Sequence, residues 1–337
     1  MRTYGRYAIP RAPGLESGST PKGKDPKPEI KMDFEVLVDC DLIDLVELDD
    51  DSLAQRKKVL SIVNDFEDGK WRHLKFHNYV WDNIAQTTLS ARERASLGKK
   101  PSSILHEAAK NLRLTDKYGD PGKGSELAEI ILYGIMKDRY GALPVVPKIF
   151  YKQNVNDYAK GADSVHIVVD GDDFTLWFGE AKFYTDIEDA RLATIIKSVG
   201  NSLDTGKLKK ENAIISNVSD IDELDIDPVL ASKIKDALSN KNSIDDLKPK
   251  LNIPILLLHE CATTKAEKSF TQAYKDSITA YHTDRAFTYF SKQIASLKDS
   301  IHLYSSISFH IILFPVPEKK KIVDKFIKKA TSHREEE

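Results

Sequence analysis

Apolar residues along this chain change period several times, and each change marks an element. From Ser125 to about Tyr140, Leu127, Ile130, Ile131, Gly134 and Ile135 recur every three or four positions, which predicts an amphipathic helix. Two apolar runs, 163–170 and 173–182, flank the pair Gly171-Asp172, and a two-residue loop of that kind predicts a β-hairpin. Compact apolar runs at 253–259 and 307–316 predict buried strands. The stretch 145–151 predicts a further strand, with Pro147 assigning it to an edge or a bulge. Helical spacing is read over 51–114, first through Leu53, Val59, Leu60 and Val63, then over 79–97, then after Pro101 with Ser102 or Ser103 as cap. Further helices are predicted over 186–203, within 206–250, over 265–297 and over 318–333. Residues 34–48 fit a strand and a short helix, and 115–124 reads as a loop.

This order predicts an α/β fold with a mixed sheet flanked by helices. The expected organisation is a flexible, basic, Pro-rich arm at 1–33, a mainly helical region at 34–120, the α/β core with helical insertions at 121–317, and a basic C-terminal helix or tail at 318–337. Trp71, Phe76, Tyr79 and Trp81 are expected to pack in the core. With 337 residues, 41% of them hydrophobic and 30% charged, the chain can bury a sizeable core. No apolar run approaches the ~18 residues that a membrane span needs, and no apolar leader opens the chain. Two cysteines give neither a disulfide framework nor a zinc set. These features lead to the expectation of a cytoplasmic protein with no membrane contact. A net charge of −2 confines any nucleic-acid surface to a local patch.

The hairpin carries the chemistry. With Gly171-Asp172 as the loop, Asp170 pairs with Asp173, and counting outward sets Asp163 opposite Glu180. Lys182, two residues past Glu180, shares that face. Opposed carboxylates repel unless a cation lies between them, and oxygen ligands suit a hard divalent ion such as Mg²⁺ or Mn²⁺. A bare acid-x-Lys triplet is uninformative, since about five occur by chance in a chain so rich in these residues. Here the triplet ends an otherwise apolar strand, where an unpaired charge is costly. An edge-strand salt bridge is the alternative explanation. Two other motifs fail. In Gly122-Lys123-Gly124-Ser125 the lysine is not followed by Ser or Thr as a P-loop requires, and Thr263 stands where a zinc-protease motif begun by His259-Glu260 needs its second His.

The helix–strand–hairpin–helix–strand order, with Glu126 on the helix, Asp163 on a strand and Glu180-Ala181-Lys182 on the next, resembles the PD-(D/E)xK nuclease superfamily. Ala162 stands where that pattern often has proline. The segments Gly-Ser-Glu-Leu-Ala-Glu-Ile-Ile-Leu-Tyr-Gly (124–134), Gly-Ala-Asp-Ser-Val-His (161–166) and Phe-Gly-Glu-Ala-Lys-Phe-Tyr (178–184) are similar to the HamA family, nuclease subunits of the Hachiman anti-phage defence system. The likeness spans about 34–315. It implies a restriction-endonuclease-like αβββαβ core and a Mg²⁺- or Mn²⁺-dependent deoxyribonuclease working with a HamB-like helicase that uses ATP. The implied metal set is Asp163, Glu180, the Ala181 backbone carbonyl and Glu126, with Lys182 as the catalytic cation. Glu129, on nearly the same helix face, is the second choice for the role of Glu126. Lys148, Lys152, Arg191, Lys197, Lys207, Lys209 and Lys210 are candidate DNA contacts. The Lys-rich C-terminal helix is a candidate docking surface for the partner. A catalytically silent subunit that binds the helicase or DNA as a scaffold is the alternative expectation.

Overall fold

A computed structural model describes residues 32–45, 54–114, 124–151, 162–217, 221, 224, 226–239 and 241–335. The arm at 1–31 and the loop at 115–123 lie outside the described residues. The strands are β1 (Glu35–Asp41), β2 (Lys57–Val63), the two-residue β3 (Phe66–Glu67) and β4 (Lys70–Trp71), β5 (Leu143–Val146), β6 (Ser164–Asp170), β7 (Asp173–Tyr184), β8 (Leu251–Glu260) and β9 (Ser308–Val316). The helices are α1 (His73–Thr88), α2 (Ala91–Leu97), α3 (Pro101–Lys110), α4 (Ser125–Tyr140), α5 (Lys148–Tyr151), α6 (Asp189–Ser202), α7 (Thr205–Asn217), α8 (Pro228–Ala237), α9 (Ile244–Leu247), α10 (Ala262–Ala266), α11 (Gln272–Leu297) and α12 (Lys319–Arg334). Among the described residues no helix is long and apolar enough to cross a membrane.

Seven strands form one mixed sheet in the order β1-β2-β9-β8-β7-β6-β5. Its centre, β2, β9, β8 and β7, is parallel, and β1, β6 and β5 add antiparallel edges. Parallel strands need both faces covered. One face, with Phe174, Leu176 and Phe178 of β7, packs on Leu192, Ile195 and Val199 of α6 and Tyr289 and Phe290 of α11. The other, with Trp177, Ala181 and Phe183, packs on α1, α4 and α12. Phe76, Tyr79, Trp81 and Trp71 are buried there, as the sequence predicts.

Two predicted elements differ in type, and the helices expected over 79–97 and 265–297 are each divided, into α1 and α2 and into α10 and α11. The 51–63 stretch, read as helical, contains strand β2. Val59 packs on one face of the sheet while Leu60 and Ile62 pack on the other, so the apolar run is continuous and carries no strand alternation. The strand expected over 145–151 ends at Val146, and α5 follows Pro147. Proline has no N–H for the ladder but suits a helix start. A smaller shift concerns a cap. Lys100, not Ser102 or Ser103, precedes α3, with Pro101 in its first turn.

α12 is part of the body rather than a tail. Ile322, Val323, Phe326 and Ala330 are buried against the sheet layer. Lys319 Nζ donates to Phe183 O at 2.5 Å, and Lys319 N donates to Glu260 Oε2 at 3.0 Å.

A buried hydrogen-bond chain joins the ends of β2 and β8 to α11. His259 Nδ1–H donates to Glu260 O at 3.2 Å, which leaves His259 Nε2 as the acceptor for His282 Nε2–H at 3.0 Å. His282 Nδ1 then accepts from Ser61 Oγ at 2.6 Å. Burial lowers the pKa of His259 to about 4 and takes that of His282 well below its ordinary value. Both imidazoles are neutral in the fold and titrate near 6.5 when unfolded. Their stabilising contribution is therefore complete above about pH 6.5 and declines as pH falls toward 4. We expect the urea midpoint to be flat from pH 8 to 7 and to drop between pH 6.5 and 4.5. A midpoint that holds constant to pH 4.5 would contradict this account.

Candidate functional site

Strand register assembles the site. Gly171 takes φ +57°, the left-handed conformation the turn requires, and Asp170 pairs with Asp173, Val169 with Phe174 and Ser164 with Gly179. Asp163 sits one residue beyond the start of β6, and its amide donates to Gly179 O at 2.7 Å. That places its side chain on the same face as Glu180 and Lys182, at the C-terminal end of β7, where a parallel strand offers open space for ligands. The register inferred from the turn is the register observed.

Gly179 permits close layering at this point. A Cβ there would stand 2.7 Å from Leu132 Cδ2 of α4 and nearer still to Ser164 Oγ. The strand consequently passes tightly beneath α4 immediately before it presents Glu180.

Three charges meet. Lys182 Nζ lies 2.5 Å from Glu180 Oε1 and 3.2 Å from Asp163 Oδ2. Asp163 Oδ2 also accepts from Ala181 N at 3.0 Å, and Glu180 Oε1 from Ser198 Oγ of α6 at 2.6 Å. Burial and the neighbouring Asp163 raise the pKa of Glu180, against the opposing pull of Lys182 and Ser198. Burial pulls the pKa of Lys182 down, but the two carboxylates outweigh it and hold the ammonium charged well above its ordinary range. The Ala181 N–H points toward Asp163, and in an extended strand the carbonyl of the same residue points to the same side. Two carboxylates and one backbone carbonyl are hard oxygen donors of the kind Mg²⁺ and Mn²⁺ take, so the residues present fit such an ion.

Glu126 is not brought to this cluster. It lies in the first turn of α4, and its carboxylate accepts from Arg113 N at 2.9 and 3.1 Å and from Leu114 N at 3.3 Å. Its helix covers the opposite face of the sheet from Glu180 and Lys182. Capping two backbone amides satisfies the carboxylate where it stands. Glu129, on the same helix, is buried. Among the described residues no three His, Cys, Asp or Glu side chains converge to hold a metal ion, so the donor set is Asp163, Glu180 and the Ala181 carbonyl.

The predicted DNA contacts divide. Lys148 is a correction, because its side chain is fully buried and pairs with Glu211 Oε2 at 2.6 Å, so it reaches no phosphate. Lys152 lies outside the described residues. Arg191 is exposed beside the site, its guanidinium 5.5 Å from the centre of the Tyr184 ring. Lys197, Lys207, Lys209 and Lys210 are exposed. Lys197 and Lys207 line a cleft of about 1120 Å³ between α6, α7 and α11, together with Lys248, Lys292 and His302. Lys248 and Lys292 are paired with Asp245 at 2.8 Å and Asp189 at 3.0 Å. Lys197 and Lys207 have no ion pair among the described residues.

Sequence reasoning missed Ser198 and Glu211. Ser198 left a trace, as a hydroxyl between Ile195 and Val199 on the inward side of α6. Glu211 left none, since its partner is 63 positions away. The charge triplet predicts an asymmetry between variants. Lys182→Met leaves two neighbouring carboxylates without their ammonium and should cost about 3 kcal/mol of stability. Glu180→Gln keeps an acceptor for Ser198 and should cost about 1 kcal/mol or less. Urea unfolding of both variants at pH 7.5 checks the order, and equal losses would refute it.

The HamA family model matches residues 40–330 of the chain. No curated protein matches it.

Proposed function

The chain belongs to the HamA family, and on that premise we propose that it is a metal-dependent deoxyribonuclease, the effector subunit of an anti-phage defence complex with a helicase partner. Family membership supports the defence role. The observation that carries the nuclease reading is the convergence of Asp163, Glu180 and Lys182 on one face at the end of β7. The order α4, β5, the short α5, β6, β7, α6 and, after the inserted helices, β8 supports the PD-(D/E)xK superfamily reading.

Asp163, Glu180 and the Ala181 carbonyl would hold Mg²⁺ or Mn²⁺, which supplies Lewis-acid activation of water and of the scissile phosphate. Lys182 offers a charged donor to the phosphate oxygens, where negative charge grows in the transition state. Ser198 holds the Glu180 carboxylate in place through its 2.6 Å hydrogen bond. Arg191 at the mouth of the site, and Lys197 and Lys207 in the cleft beyond α6, form a cationic path for the phosphate backbone. Lys209 and Lys210 extend that path along the exposed side of α7. The partner is a HamB-like helicase that spends ATP on DNA and controls when the nuclease acts.

The test is cleavage of plasmid and linear DNA with Mg²⁺ or Mn²⁺, with and without the helicase subunit and ATP. We expect the wild type to degrade DNA and Glu180→Ala/Lys182→Ala to lose activity by about 10³-fold or more. Cleavage that appears only with helicase and ATP would identify a gated effector. Equal inertness of wild type and double variant under every condition, with the complex still forming, would sink the catalytic reading in favour of a scaffold.

A further inference from the structure

We propose that Glu211 is a positioning residue for Asp163, kept in place by the buried Lys148; the inference rests on the metal-site reading above. Lys148 Nζ meets Glu211 Oε2 at 2.6 Å, with side-chain exposures of 0% and 4%. The second oxygen, Glu211 Oε1, accepts from Ala162 N at 3.1 Å. Ala162 immediately precedes Asp163, whose own amide is bonded to Gly179 O. Two successive amides are therefore fixed from opposite sides, one by the neighbouring strand and one by a carboxylate reaching in from α7.

Asp163 needs the second restraint. β6 begins at Ser164, so Asp163 lies beyond the strand's own ladder, and among the described residues the sheet bonds its backbone through Gly179 O alone. A ligating carboxylate displaced by about 1 Å can lose two orders of magnitude in function.

The chemistry of the pair is a poor choice for stability alone. Removing an ammonium and a carboxylate from water costs several kcal/mol, and a well-packed apolar pair of similar size is often as stable or more so. An apolar pair, however, offers no acceptor to Ala162 N. The retained charge makes sense as a means of fixing one backbone amide, and with it the residue that follows.

α7 also links this anchor to the cleft. Lys207 precedes Glu211 by four residues, one turn or about 6 Å along the helix. The helix that presents a cation to the cleft thus holds the amide of Ala162, the residue before Asp163.

Two double variants of the full chain separate positioning from structure. Lys148→Met/Glu211→Leu removes both charges and the acceptor, while Lys148→Met/Glu211→Gln removes the charges and keeps an acceptor oxygen for Ala162 N. The readouts are Mn²⁺ affinity by calorimetry with the metal alone, melting temperature, and hydrogen exchange of the Ala162 amide. Both variants should remain folded, which the melting temperature checks. The Leu variant should bind Mn²⁺ about tenfold or more weakly and exchange the Ala162 amide about tenfold faster, whereas the Gln variant stays within about threefold of wild type on both measures. Wild-type affinity in a folded Leu variant would overturn the proposal, as would equal losses in both variants. If the wild type itself binds no Mn²⁺, the nuclease reading fails on its own account. Exchange then decides the anchor, which is refuted if the Leu variant leaves the Ala162 amide as protected as before.

Discussion

A one-residue slip between β6 and β7 would turn Asp163 to the far side of the sheet from Glu180. Everything at the site depends on that register. It is set at one end by the Gly171-Asp172 turn and confirmed at the other by the Asp163 amide on Gly179 O. Between them the ladder runs unbroken from Asp170↔Asp173 to Ser164↔Gly179. β7 then continues past the end of β6 and pairs with β8 as far as Tyr184↔His259. The strand is held on one side by a parallel neighbour, and among the described residues no strand pairs with its last residues on the other side, where Glu180 and Lys182 stand.

Electrostatics explains why the cluster tolerates so much charge. Two carboxylates and one ammonium, largely shielded from solvent, each lie within hydrogen-bonding distance of another. Ser198 and the Ala181 amide supply two further donors, so the oxygens facing Lys182 are satisfied rather than orphaned. Such an arrangement sets two carboxyl groups against one ammonium at one point of a nearly neutral protein. That imbalance is what makes the site costly to bury.

The parts legible in the sequence were those governed by local chemistry. The hairpin announced itself through a glycine that must adopt positive φ, and α4 through its apolar spacing. Asp163, Glu180 and Lys182 followed from counting along the turn. What could not be read depended on partners distant in the chain. β2 has the spacing of a helix because both its faces are buried, which only the presence of β1 and β9 beside it reveals. Lys148 looks like any surface cation until Glu211 is folded against it. Glu126 has the residue type and helix position of a ligand, yet the amides of Arg113 and Leu114 claim it.

The C-terminal helix has a consequence for how the protein is dissected. Its basic composition invites removal, on the assumption that a charged tail can be deleted to reveal what it touches. α12 instead fills part of the core with Ile322, Phe326 and Ala330, and its first lysine is bonded to the carbonyl of Phe183, the neighbour of Lys182. Further along, His333 and Arg334 bind backbone carbonyl or ring groups of the α3 region, including Ala109 O at 2.8 Å. Truncation before 319 therefore strips a wall from the hydrophobic interior and unfastens β7. A shortened protein that fails would report collapse of its frame, and charge reversals on the outer row, at Lys321, Lys325 and Lys328, are the changes that interrogate the surface itself.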